Sequence, residues 1–266
     1  MKPRHFLRCL GHPTLLAPNG ESIRIRTKKH VALLVYLAVE ANRSHDRDVL
    51  AGFLWPKAKP AEARHSLSTA LSLFRARLGR DAIDAGREKI RLKPGRLELD
   101  LDRLLSGNIV GDELTPPLAI AGFLEGFDVA DAPEFGLWKD RQQARLLPAI
   151  KQALIGLIDQ RRRTGEFQQV EALAEQMLAL DELSEEAIRA KMEARALAGD
   201  RIAALRLFED WKIRLTDELQ AEPSETLRRM ATRLRQTNWQ SASDSSNRNQ
   251  AKEQYPESLF INRLAE

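Results

Sequence analysis

A chain of 266 residues, with 43% apolar and 30% charged residues, is long enough for one or two domains with a buried core, at roughly 100–200 residues per domain. Its single cysteine, Cys9, excludes an internal disulfide, and its longest apolar run, Val31 to Val39, is too short to cross a bilayer. The formal charge of +4 is unevenly spread: Met1 to Leu105 carries 21 Lys and Arg against 11 Asp and Glu, and Ser106 onward carries 21 against 27, so one half suits a polyanionic partner and the other does not.

The start, "MKPRHFLRCLG", has no apolar run of the secretory kind, and a cytoplasmic setting without membrane contact is expected. Three short strands follow one another in "HFLRCLG", "TLLAP" and "SIRIRT", with "HP" and "PNGE" as the turns between them. A helix is expected over 28–41, with Val31, Leu34, Leu37 and Ala38 on one face and Thr27 as its N-cap. A second, over 47–54, starts behind Asp46 and stops at the two prolines of "WPKAKP".

The third helix, 61–78, carries the most informative pattern. Leu67, Leu71, Phe74 and Leu78 form its apolar stripe, while Arg64, His65, Ser68, Thr69, Ser72 and Arg75 lie around and behind it. A solvated helix gains from mixed Glu and Lys at i,i+4 spacing; this face has basic groups and short hydroxyls with hardly an acid among them. Two strands, "DAID" and "KIRLK", joined by "AGRE", come next, and then "GRLELDL". Asp100 to Asp102 are expected to cap a helix at Arg103 rather than to bind a metal. Strands, three helices and a hairpin in this order make a winged helix-turn-helix, in which the later helix enters the major groove and the earlier one crosses the backbone.

From about residue 119 the chain reads as nearly all helix, with a long amphipathic run from Phe135 to Gly165. "GEFQQVEALAEQMLALD" at Gly165 is echoed by "GDRIAALRLFEDWKIRL" at Gly199, 34 residues on, aligning Leu173 with Leu207, Ala174 with Phe208 and Met177 with Trp211. That period marks tetratricopeptide units, which need neighbours to bury both faces. The long run supplies one neighbour, and a helix over 224–235 closes the other end. Beyond residue 236 the polar, low-complexity chain is expected to be disordered, with "SLFINRLAE" a frayed terminus or a short docking peptide. The expected fold class is therefore mainly α with a small β component: a winged helix over 1–105, a tetratricopeptide-like all-helical domain over 106–236, and a tail over 237–266.

"LVYLAVEANRSHDRDVLAGFLWP" followed by "ARHSLSTALSLFRARLG" resembles the DNA-binding half of the Streptomyces antibiotic regulatory protein (SARP) family. Its pattern is an LLayLA helix, an RdeLa-elLWp segment and an aRasLrqaLsrLRkaLg helix. The stretch from "FLEGFDVADAPEFGLWKDRQQARL" to "AGDRIAALRLFEDWKIRLTDELQAEPSETLRRM" looks like that family's bacterial transcriptional activator domain (BTAD). Together the matches span about residues 5–236. The resemblance implies a transcription factor, expected to be an activator, that binds tandem repeats in double-stranded DNA as a homodimer or larger assembly and contacts RNA polymerase. The chain departs from the pattern at His65 to Ser68 and lacks an aromatic residue near Ile90, so the resemblance does not carry over a base preference.

In that reading Arg64 and Arg75 have the chemistry to read guanine bidentately, and His65, Ser68, Thr69 and Ser72 let the helix approach the base edges. Phosphate contacts are expected from Lys28 and Lys29 at the first helix, Lys57 and Lys59 before the third, and Arg87, Lys89 and Arg91 at the wing. Taken singly, each of these cations is as readily a solvated surface charge. No cofactor is expected, and no catalysis: there is no P-loop, no GxSxG elbow and no HExxH, and the five histidines are scattered over the first quarter. Trp138, Trp211 and Phe208 read as packing residues. The competing function is a repeat-based adaptor whose winged helix contacts protein. The basic N-terminal half speaks against it, since an adaptor does not need that surplus.

Overall fold

The computed structural model describes residues 4–106 and 121–236; the expected tail, the "SLFINRLAE" terminus and the junction after residue 106 lie outside them. In chain order the elements are β1 (His5–Arg8), β2 (Thr14–Leu16), β3 (Ser22–Ile23), α1 (Lys28–Val39), β4 (His45–Asp46), α2 (Arg47–Leu54), α3 (Pro60–Leu78), β5 (Ile83–Ala85), β6 (Lys89–Leu92), β7 (Leu97–Leu99) and α4 (Asp100–Leu105). Five longer helices follow: α5 (Pro133–Arg163), α6 (Phe167–Leu180), α7 (Glu185–Leu197), α8 (Arg201–Leu219) and α9 (Glu225–Gln236). The fold is mainly helical with a small β component, a winged helix-turn-helix leading into helical repeats.

Local chemistry sets the helix starts. Thr27 accepts the His30 amide to open α1, Asp46 accepts those of Asp48 and Val49 to open α2, and Ser184 accepts that of Ala187 to open α7. Proline at the first position of α3 supplies a preset φ where no amide bond is needed. Helix α1 buries Ala32 to Val35, Leu37 and Ala38, more than one face, because it is packed from several sides at once.

Two small sheets brace these helices. In the first, ordered β3-β2-β1-β7, β1 pairs antiparallel with β2 (Phe6 opposite Leu16) and parallel with β7 (Leu7 opposite Leu99). The second has the order β4-β6-β5, with His45 of β4 opposite Ile90. Strand β4 has only two residues, too few for any alternation to announce it, and it anchors the wing hairpin to the start of α2.

The "DLD" acids are placed differently from the expected cap. Helix α4 already begins at Asp100, whose buried carboxylate reaches across to accept the amides of Cys9 at 2.8 Å and Leu10 at 2.7 Å. Those amides lie just past the end of β1, and a buried amide needs an acceptor. Asp102 performs the capping, accepting from the Leu99 backbone.

Helix α5 holds the two halves together. Its first turns bury Phe135 and Trp138, its later turns bury Leu146, Ile150, Leu154 and Ile158, and it packs on α2 and α4 of the winged-helix half and on α6 of the repeats. The backbone joins the halves as well: Leu124 donates to the Cys9 carbonyl and Gly11 to that of Gly122, both at 2.8 Å, and Leu10 bridges Phe123. One apolar core therefore runs from β1 to α7 without a break. In the repeats, the aligned pairs Ala174 and Phe208, and Met177 and Trp211, are all buried. Gly165 and Gly199, the repeat markers, follow helix ends with φ of +74° and +90°, the left-handed conformation that closes a helix and that glycine adopts without a Cβ penalty.

Candidate nucleic-acid interface

Helix α3 buries Leu67, Leu71, Phe74 and Leu78 as its stripe requires, together with Ala63 and Ala70. Arg64, His65, Ser68, Thr69 and Ser72 are exposed on the other side. Two of the hydroxyls fold back onto the helix: Ser68 donates to the Arg64 carbonyl at 2.9 Å and Thr69 to that of His65 at 3.1 Å. This leaves a low surface with no acid between His65 and Ser72, which a groove floor can approach closely.

Arg47 is absent from the expected set, yet it joins this surface to the wing. Its guanidinium donates to Ser68 Oγ at 3.0 Å and to the Gly86 carbonyl at 3.4 Å, and its backbone amide donates to the Glu88 carbonyl at 2.8 Å. One side chain thus touches α3 and the β5–β6 turn. Its only sequence signal is a basic residue directly after an N-cap, which by itself says nothing of a partner 21 or 39 residues on.

The expected contact residues fall into three situations. Lys59, Arg87 and Lys89 are exposed along with the outer face of α3. Arg64, Lys57 and Lys28 are exposed but engaged: Arg64 makes a two-pronged contact with Asp48, both bonds 2.6 Å, Lys57 pairs with Asp131, and Lys28 Nζ lies 5.9 Å from the centre of the Phe127 ring. The Arg64 guanidinium holds the Asp48 carboxyl below its usual range. Arg75 and Arg91 are half-buried and turned inward. Arg75 points toward the Ile83 carbonyl at 3.5 Å and Arg91 donates to that of Ala41 at 3.2 Å, so Arg75 is directed at β5 rather than outward from the helix. Its position lies on the flank of α3, beside β5, where its long side chain meets the neighbouring strand.

Lys29 is half-buried at the edge of a shallow cleft of about 420 Å³, walled by Thr27, His30, Trp55, His65 and Thr69 and closed on one side by Val129 and Ala130. Segment 121–132, which leads into α5, therefore borders the expected interface. Burial lowers the His30 pKa, so its imidazole is less readily charged than an exposed one. Among the described residues no group of three or more His, Cys, Asp or Glu is arranged to hold a metal, and no helix is long and apolar enough to cross a membrane.

Residues 123–235 match the bacterial transcriptional activator domain family. Among solved structures the chain is similar to Mycobacterium tuberculosis EmbR in complex with a low affinity phosphopeptide, with 21% sequence identity and a TM-score of 0.58 over 87% of this chain and 65% of that one. The chain thus spans a little under two thirds of the length of that neighbour, and the likeness is one of fold. A comparison with curated proteins gave no match.

Proposed function

We propose that this chain, a SARP-like transcriptional regulator by its fold and by the activator domain over residues 123–235, reads double-stranded DNA with α3 in the major groove and the wing beside it. The observation that carries the reading is the outer face of α3 from His65 to Ser72: exposed, with no acid of its own, carrying back-bonded hydroxyls and tied by Arg47 to the wing turn. Ser68, Thr69, Ser72 and His65 face the base edges. Lys59, Arg87 and Lys89 supply phosphate contacts, joined by Lys28, Lys29 and Lys57. Arg64 reaches a base or a phosphate by exchanging Asp48 for it, and the pair is exposed enough to exchange.

In this reading residues 1–105 are the DNA-reading unit and 106–236 the activating unit, acting as one body through their shared core. The protein works in the cytoplasm as an activator, binding repeated sites as a homodimer and presenting its helical repeats to RNA polymerase. It is not an enzyme. Dimethyl sulfate footprinting on the DNA upstream of its own gene tests the groove assignment. Protection of guanine N7, a major-groove atom, supports it, and an unchanged pattern at saturating protein contradicts it.

A further inference from the structure

The segment before α5 brings two acids to the basic edge of the winged helix. Asp131 pairs with the Lys57 side chain, and Lys57 and then Lys29 hold its carboxyl below the usual range. Asp128 pairs with Lys139 and has Lys28 as a further cation nearby, while Lys28 also lies over Phe127. The segment is held firmly. Phe127 is buried edge-on against Phe135 and His12, Leu124 is tied by its amide to Cys9, and Val129 and Ala130 wall the cleft beside Lys29 and His65.

A carboxylate on a lysine ammonium offers the same contact as a phosphate oxygen: an anionic acceptor for a charged donor. Of the four cations that segment 123–132 engages or approaches, Lys28, Lys29 and Lys57 are among those proposed above to meet DNA phosphates, and the fourth, Lys139 of α5, takes Asp128. From this coincidence we infer that residues 127–131 form an acidic strap, an internal competitor that occupies Lys57 and crowds Lys28 and Lys29 until DNA phosphate takes the place of its carboxylate on them. Lys57 and Asp131 are 77% and 51% exposed, so their pair is weak and exchangeable, as a reversible mask requires. The strap belongs to the activator half, so a partner that moves it changes DNA affinity without touching α3.

The inference rests on the DNA-binding reading, and the test separates the two. Asp131 has φ of +57°, a left-handed conformation that Asn tolerates as Asp does, so Asp131→Asn removes the charge and keeps the turn. Asp217→Asn, on the exposed side of α8, removes the same charge elsewhere. Binding of the full-length wild type and both variants to a random-sequence duplex is measured by fluorescence anisotropy over a range of salt. Asp131→Asn is expected to bind several-fold more tightly than Asp217→Asn at every salt concentration, and Lys57→Ala is expected to abolish the gain. If wild type binds and the two Asp variants are alike, the strap is overturned and the DNA reading stands. If no variant binds even at low salt, the DNA reading falls and the strap with it.

Discussion

Trp138 donates its indole N–H to the Glu40 carboxylate at 3.0 Å, joining the first turns of α5 to the end of α1 across the two halves of the chain. The ring packs edge-on against Tyr36 and Phe123 and tilts against Phe135. Aromatic surface, a charge-assisted hydrogen bond and two backbone bonds at Cys9 and Gly11 meet in one small region. Halves that share a core in this way are coupled through packing rather than through a slack linker.

Trp138→Ala is expected to cost about 3–5 kcal/mol by opening a cavity in the shared core. Trp138→Phe keeps most of the ring contact and loses mainly the bond to Glu40, about 1–3 kcal/mol. Urea denaturation followed by circular dichroism measures both. Because the core is continuous, the winged helix and α5 are expected to unfold together, and a transition of the winged helix that is separate and indifferent to Trp138 would contradict the shared core.

Arg47→Ala is expected to change stability by less than about 1 kcal/mol, since the side chain is only partly buried, while weakening DNA binding roughly tenfold by loosening the wing from α3. Arg47→Lys is expected to behave nearly as badly, because an ammonium cannot span Ser68 and Gly86 as the guanidinium fork does. Parallel denaturation and anisotropy titrations decide this, and DNA affinity that simply tracks stability would remove Arg47 from the interface.

Arg75→Ala is expected to leave the ratio of specific to random-sequence binding unchanged, within about twofold, because Arg75 is directed at the Ile83 carbonyl and away from the outer face. The same substitution at Arg64 is expected to lower that ratio. A specific loss at Arg75 and none at Arg64 would show that the two guanidiniums exchange places on DNA.

Asp100 supplies a pH signature. Burial raises its pKa to about 6 in the folded chain from an ordinary 3.8, outweighing the amide bonds from Leu10 and Cys9 that act in the opposite sense. A folded pKa above the unfolded one favours the protonated native state, so this contribution is fully present below about pH 4 and is lost as pH rises through about 6. The stability deficit of Asp100→Asn relative to wild type is therefore expected to shrink between pH 4 and pH 7 by about 2–3 kcal/mol. A deficit that grows over that interval would mean the carboxylate is stabilised as the anion.

Much of the architecture is legible in short stretches of sequence because its causes are local. Thr27 and Asp46 cap the helices they precede, and Gly165 and Gly199 mark the repeat because a left-handed helix end favours glycine. The buried stripe of α3 follows from spacing alone. What is not legible depends on where distant chain returns. Strand β4 exists because β6 comes back to pair with it, Asp100 is committed to amides 90 and 91 positions away, and Asp131 covers Lys57 from 74 positions on. Arg47 and Arg75 show the same division within the interface. Periodicity puts a basic residue near a face, but whether its long side chain reaches outward or turns to a neighbouring carbonyl is decided by elements that periodicity does not see.

The most direct test of the DNA-reading surface is a salt titration of the full chain and Lys89→Ala on the DNA upstream of its own gene, with a scrambled duplex as control. Lys89 is exposed on the wing, where a phosphate contact is proposed. Wild type is expected to prefer the native sequence with affinity falling steeply as salt rises, and Lys89→Ala to lower the salt slope by about one unit on both duplexes. Equal affinity of wild type for both duplexes, with a slope that Lys89→Ala leaves unchanged, would contradict the assignment of α3 and the wing as the surface that reads DNA.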